Sequence, residues 1–185
     1  FKLFQLLSKI SPNNGRIHLT LADYHRENGD NKKSYNELKL AFKSSNLSID
    51  TKVSILISYY QLLAINDEIN SQAYELADIL IKHHPDDLKA RAVFADILYT
   101  DNNYEKAKEQ YLLILETEKS KSQLWGQVLF IQAELSDFEG MLVTSSEALE
   151  YFPSNPLFYY FNGLSNKWFK NYNESIESFN VGLQF

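Results

Sequence analysis

Residues 88–115 read LKARAVFADILYTDNNYEKAKEQYLLIL, and this stretch decides the fold. Its apolar residues recur three or four positions apart on both sides of a polar break at 101–103. That spacing is typical of one face of an α-helix, and the Asp-Asn-Asn break has turn composition. The stretch therefore predicts two amphipathic helices joined by a short turn, which together form a helical hairpin.

The same arrangement recurs along the chain. Polar breaks that end an apolar stretch fall at Pro12, Asn46, Pro85, Lys119 and Pro153, at spacings of 34, 39, 34 and 34 residues. A second break near the middle of each unit predicts hairpin turns at 29–31, 66–70, 101–103, 136–137 and 170–171. The sequence therefore predicts an all-α fold, and the longer second unit is expected to extend its first helix and its turn.

The period and the residues within it resemble the tetratricopeptide repeat (TPR), whose pattern is W-x2-L-G-x2-Y, then A-x3-F, A and P. The third unit supplies Ala107-x3-Tyr111, and the fourth supplies Trp125, Ala148 and Pro153. The resemblance implies a right-handed α-solenoid of about five helix–turn–helix hairpins. Small residues in this pattern let two helices approach closely, and large ones fill the space toward the next unit.

The resemblance divides one continuous solenoid domain into six segments. Residues 1–12 match the second helix of a preceding repeat. Repeats 1 to 5 then occupy 13–46, 47–85, 86–119, 120–153 and 154–185, of which the second is extended and the fifth truncated. The register of the first helix of repeat 2 stays open, because that helix has no clean match to the pattern.

Composition places the chain among ordinary globular proteins. Of its 185 residues, 44% are apolar and 23% are charged, which suffices for a packed core. The net charge of −6 argues against nucleic acid as a partner, because nucleic-acid binders carry a basic face. No apolar run reaches the roughly 18 residues of a membrane span, and the absence of Cys excludes disulfides and thiolate chemistry.

Catalytic motifs are missing from the sequence. It has no glycine-rich phosphate loop, no G-x-S-x-G nucleophile and no H-E-x-x-H zinc motif. His18 and His25 lie about two helical turns apart, but both fall on positions of the pattern that pack between helices. His83 and His84 close a helix, where a cation meets the helix dipole. We therefore predict a protein that is not an enzyme and has no catalytic residue, no cofactor and no metal site.

The resemblance implies that the first helix of each unit lines a concave groove. With units starting at Gly15, Thr51, Leu88, Ser122 and Pro156, the predicted partner-binding residues are Tyr59, Tyr99, Phe130, Tyr160, Lys167 and Trp168. The same extrapolation gives the first two repeats a more charged groove, formed by Arg16, Leu19, Asp23, Arg26, Glu27, Lys52, Ile55, Leu62 and Leu63.

Such a groove predicts a non-catalytic scaffold that binds another protein or a peptide. Two alternatives remain: a purely structural arm of a larger chain or oligomer, and a ligand-binding lipoprotein scaffold whose site lies outside this sequence. A homodimer through the C-terminal repeat is a second kind of partner. The Asn-, Lys- and Tyr-rich composition favours a bacterial protein of the cell envelope, as a periplasmic lipoprotein, with the cytoplasm as the alternative.

Overall fold

The computed structural model describes residues 2–60 and 67–185. Within these ranges the chain forms eleven α-helices and no strand, which confirms the all-α prediction. The helices are α1 (Lys2–Ile10), α2 (Gly15–Glu27), α3 (Asn31–Lys43), α4 (Ile49–Tyr60), α5 (Asp67–His83), α6 (Leu88–Thr100), α7 (Tyr104–Leu115), α8 (Ser122–Glu134), α9 (Phe138–Tyr151), α10 (Pro156–Trp168) and α11 (Tyr172–Gly182).

The chain divides into two compact units, Phe1–Asp101 (unit 1) and Asn102–Phe185 (unit 2). In unit 1, α1 and α3 pack against α2, α5 packs against α3 and α4, and α6 packs against α4 and α5. In unit 2, each helix from α7 to α10 packs against the helix that follows it. Most of these contacts join helices that follow one another in the chain, as an array of helical hairpins requires.

Four predicted hairpin turns are confirmed to within a residue. Each contains one residue in the left-handed backbone region, namely Gly29 (φ 76°), Asn102 (57°), Ser136 (54°) and Lys170 (63°). The last three are spaced by 34 residues, and an Asp or Asn follows all four and precedes the next helix. The left-handed residue reverses the chain direction. The Asp or Asn that follows it occupies the N-cap position of the next helix, where these residue types are preferred.

The predicted turn at 66–70 is wrong over most of its length. Helix α5 begins at Asp67, so residues 67–70 are helical. Glu68 was interpreted as a turn residue, but an acidic side chain also stabilises the first turn of a helix through the helix dipole. Residues 61–66, including Leu62 and Leu63 of the predicted groove, lie outside the described residues.

Trp125 is the largest side chain buried in unit 2, among the described residues. It is 2% exposed, its indole Nε1 donates to the carbonyl of Lys119 at 3.0 Å, and its ring stacks on Tyr151 with 5.8 Å between centroids. On α10, Gly163 has no side chain where a Cβ would lie 2.8 Å from the ring of Phe179 on α11. The close approach of Gly163 and Phe179 is the packing of a small residue against a large one that the repeat pattern predicts.

Lys52 does not line a groove, so its predicted position is wrong. It is fully buried, and its ammonium donates to the carbonyl of Ser44 at 2.8 Å and lies 3.1 Å from Nε2 of His84. The predicted unit starts coincide with the first residues of α2, α6, α8 and α10, whereas α4 begins at Ile49 rather than Thr51. Lys52 is the fourth residue of α4, and its side chain lies in the interior of unit 1.

The contact between Lys52 and His84 predicts a pH-dependent stability. Burial and the Lys52 ammonium hold the pKa of His84 below its usual value of 6.5, with Asp87 opposing and His83 adding to this effect. The unfolded chain therefore takes up the His84 proton more readily than the folded chain does. We expect the free energy of unfolding to fall as the pH drops below about 6.5.

Denaturant unfolding at pH 7.5, 6.5 and 5.5 would measure this loss. His84→Gln keeps an acceptor for the Lys52 ammonium and should flatten the pH dependence, whereas the neighbouring His83→Gln should keep most of it. The carboxyl groups of Asp30 and Asp137 have a pKa below the usual value of 3.8. Their protonation therefore affects stability only at a pH below the range of this experiment. Equal slopes for wild type and His84→Gln would contradict the assignment.

Candidate functional site

The first helices of two successive hairpins in unit 2 present exposed aromatic side chains. Phe130 on α8 is 47% exposed, and Tyr160 and Trp168 on α10 are 52% and 63% exposed. We call these three residues the aromatic face. Lys167, also predicted, is exposed beside Trp168 in the chain.

Phe161 brings two members of the aromatic face together. Its buried ring makes edge-to-face contacts with Phe130 (5.3 Å between centroids) and with Tyr160 (5.4 Å). Trp168 lies about two turns further along α10, where its ring stacks on Phe138 of α9 at 4.3 Å and 11°. The aromatic face therefore has two parts, and in both an exposed ring is held by a second ring.

A shallow groove of about 290 Å³ runs beside Phe130. It is lined by Ser122, Gln123, Gly126, Gln127, Phe130, Asn155 and Leu157. Side-chain amides donate and accept hydrogen bonds, as a peptide backbone does, while Phe130 and Leu157 offer apolar contact. This groove can therefore hold an extended chain through its backbone and one apolar side chain.

Unit 1 contains a larger cavity of about 440 Å³ between α2, α3, α4 and α5. It is lined by Leu19, Ala22, Asp23, Arg26, Asn31, Ser34, Tyr35, Leu38, Ile55, Ser58, Tyr59, Glu68, Ile69 and Gln72. Five residues of the predicted groove line this cavity, namely Leu19, Asp23, Arg26, Ile55 and Tyr59. Tyr99, the remaining predicted partner-binding residue, lies half-buried on α6. Tyr99, Arg16 and Glu27 do not line this cavity.

Three polar side chains of the cavity are linked by hydrogen bonds, and two others form an ion pair. The Tyr59 hydroxyl donates to Oε1 of Gln72 at 3.4 Å, and the Gln72 amide donates to Glu68 at 3.2 Å. Arg26 pairs with Asp23 on the same helix at 2.7 Å. Burial raises the pKa of Tyr59, and the Arg26 guanidinium opposes this shift in part. The Tyr59 phenol therefore stays protonated at neutral pH and acts as a hydrogen-bond donor.

A second tyrosine of the cavity is held in the same state. The Tyr35 hydroxyl donates to Oε2 of Glu75 at 2.5 Å, and the Lys39 ammonium lies 4.8 Å from the Tyr35 ring centroid. Burial and the Glu75 carboxylate raise the pKa of Tyr35, and the hydrogen bond from Tyr35 lowers the pKa of Glu75. The arrangement fixes the ring and does not generate a nucleophilic phenolate.

The side chain of His18, on α2, is buried. Its Nδ1 lies 2.6 Å from a Glu37 carboxylate oxygen, and its Nε2 lies 2.8 Å from the carbonyl oxygen of Pro12. Both ring nitrogens are thus engaged by the protein. Across residues 2–60 and 67–185, no three His, Asp or Glu side chains are grouped as a metal ion would require.

Several cavity residues were missed by the sequence analysis. Tyr35, Glu68 and Gln72 belong to α3 and α5, the second helices of their hairpins, whereas the predicted groove was drawn from first helices alone. The available signal was the pair of small residues Ala22 and Ser34, which the repeat pattern places where α2 and α3 approach each other. The acidic residues at 67 and 68 were a second signal, because they are typical of the start of a helix. They were interpreted as part of a turn instead.

Successive hairpins with small-against-large packing define this chain as a TPR-like helical-repeat protein by fold. No protein-family model matches the chain, and no curated protein matches it in sequence.

In fold the chain is similar to solved structures of MamA. MamA from AMB-1 has a TM-score of 0.68 at 14% identity, over 92% of this chain and 91% of that chain. MamA from MSR-1 gives 0.65 at 14% identity, over 92% and 95%. A double mutant of MamA from RS-1 gives 0.64 at 12% identity, over 92% and 93%. At these identities the likeness concerns the fold.

The helices can also be compared with the requirements of a membrane span. Among the described helices, none combines the length and the apolar composition that crossing a bilayer demands.

Proposed function

We propose that the chain is a non-catalytic scaffold that binds another protein or a peptide through the first helices of its hairpins. The observation that carries the proposal is the aromatic face, where Phe130, Tyr160 and Trp168 expose about half or more of their surface. Tyr and Trp dominate binding energy in protein interfaces, and exposed apolar patches mark interaction surfaces. The TPR-like fold supports a scaffold, since repeat arrays present extended binding surfaces.

The proposal includes the remaining expectations from the sequence. Tyr59 and Tyr99 in unit 1 and Lys167 in unit 2 are further proposed contact residues, and no catalytic, cofactor or metal role is assigned to any residue. Nucleic acid is not a proposed partner, because the net charge is −6. A bacterial cell-envelope setting is part of the proposal, with the composition as its support.

Trp168→Ala should weaken partner binding by about 2 kcal/mol or more, since an exposed Trp on a binding face is a typical anchor. The partner peptide would be selected on a peptide array with the wild-type chain and then measured by fluorescence anisotropy. Arg16→Ala is the control, because Arg16 lies in unit 1 on the exposed surface of α2. A loss confined to Arg16→Ala would move the binding site to unit 1 and contradict the proposal.

Sedimentation equilibrium of the chain alone would distinguish a homodimer from a chain that binds a foreign partner. If the aromatic face joins two copies, wild type should associate with rising concentration, and Trp168→Ala and Tyr160→Ala should remain monomeric. If the face binds a foreign peptide, all three proteins should sediment as monomers while the peptide affinities differ. Self-association that neither substitution changes would place the dimer contact elsewhere.

A further inference from the structure

The cavity of unit 1 has an apolar floor. Ala22 and Leu38 are buried, and Leu19, Ile55 and Ile69 are half-buried beside them. Apolar surface of this kind favours a ligand that brings an aliphatic or aromatic group, because burying that group removes apolar area from water. The volume of about 440 Å³ lies within the range of about 300–1,000 Å³ that small-molecule sites occupy.

The mouth of the cavity carries both signs of charge. The Arg26 guanidinium and the Glu68 carboxylate are exposed, and Asp23 is partly exposed beside Arg26. A guanidinium has five N–H donors in a planar fork, so the contact with Asp23 leaves donors that can bind a ligand carboxylate. Glu68 and Asp23 can accept hydrogen bonds from a ligand ammonium group. A ligand that carries both a carboxylate and an ammonium group can pair with both signs of charge at this mouth, whereas a ligand with a single charge can pair with only one of them.

Neutral polar groups also line the cavity. The Tyr59 and Tyr35 hydroxyls donate to Gln72 and Glu75 and can accept a further hydrogen bond, and Ser34 and Asn31 add a hydroxyl and an amide to the lining. These groups can hydrogen-bond the polar end of a ligand without adding charge. The cavity therefore combines apolar side chains with neutral polar groups and with charged groups of both signs.

We infer that this cavity binds a free α-amino acid with an aliphatic or aromatic side chain. The side chain enters the apolar floor, the carboxylate pairs with Arg26, and the ammonium group pairs with Glu68. The inference goes beyond the proposed scaffold function and does not depend on a protein partner, because the aromatic face lies in unit 2.

Isothermal titration calorimetry with L-leucine and L-phenylalanine, up to about 10 mM ligand, tests the inference. We expect saturable binding of at least one of them, and a loss of affinity of about tenfold or more for N-acetyl-L-leucine and for L-leucinamide. The first lacks the ammonium group and the second lacks the carboxylate. Equal binding of either derivative, or no binding of either amino acid, would overturn the inference.

Two substitutions at the mouth locate the site. Arg26→Gln and Glu68→Gln should each weaken binding about tenfold or more, while Arg16→Gln, on the same helix but outside the cavity, should bind like wild type. The exposed positions of Arg26 and Glu68 make misfolding of the variants improbable, and thermal unfolding would verify their folds. Unchanged affinity in both variants would overturn the assignment. Trp168→Ala should leave amino-acid binding intact, so this test and that of the scaffold function fail independently.

Discussion

Replacing Trp125 by alanine is expected to lower the free energy of unfolding by about 3–5 kcal/mol. The side chain is 2% exposed on α8, so its removal leaves a cavity that the surrounding helices cannot fill completely. The substitution also removes the hydrogen bond from Nε1 to the carbonyl of Lys119 and the stacking on Tyr151. Chemical denaturation followed by circular dichroism would measure the loss.

Trp168→Ala is the matched control, because Trp168 is the chain's second and last tryptophan and is 63% exposed. Its ring stacks on Phe138, so we expect a loss of about 0.5–1.5 kcal/mol, well below that of Trp125→Ala. The two variants together separate a tryptophan that holds the core from one available for binding. Similar losses in both variants would contradict the placement of Trp125 in the core of unit 2.

The hairpin architecture could be predicted because its determinants are local. An Asp or Asn stands before each helix that follows a hairpin turn at 30, 103, 137 and 171, and the left-handed positions 102, 136 and 170 repeat at 34 residues. The contact between Gly163 and Phe179 follows from the same pattern, since a small residue on one helix faces a large one on the next. The exposure of Tyr160 and Trp168 could also be predicted, because the last hairpin carries more aromatic residues than it can bury.

The part of the cavity formed by α3 and α5 and the environment of Lys52 could not be predicted. The predicted groove was drawn from first helices alone, and the register of the first helix of repeat 2 was open, since α4 begins at Ile49, two residues before the predicted start at Thr51. The contact between Lys52 and His84 also joins residues 32 positions apart, one near the start of α4 and the other just after the end of α5. Long-range polar contacts of this kind leave no periodic signal.

Replacing Lys52 by alanine is expected to lower the free energy of unfolding by about 2–4 kcal/mol, close to the loss for a buried methionine. The four methylene groups of Lys52 are fully buried, so truncation opens a cavity in unit 1. The Ser44 carbonyl loses the ammonium that donates to it at 2.8 Å, and an unsatisfied buried acceptor adds to the loss. Removing the buried charge offsets part of this loss of stability. Burial lowers the pKa of Lys52 because it disfavours the charged form.

Lys52→Met separates these opposing effects. Methionine keeps most of the volume but carries no charge, so its stability should lie within about 1.5 kcal/mol of wild type and clearly above that of Lys52→Ala. The acid-side loss of stability below pH 6.5 should also shrink in Lys52→Met, because His84 no longer faces an ammonium group at 3.1 Å. If Lys52→Met were as unstable as Lys52→Ala, the hydrogen bonds of the ammonium, and not the packing of its stem, would be what stabilises unit 1 at this position.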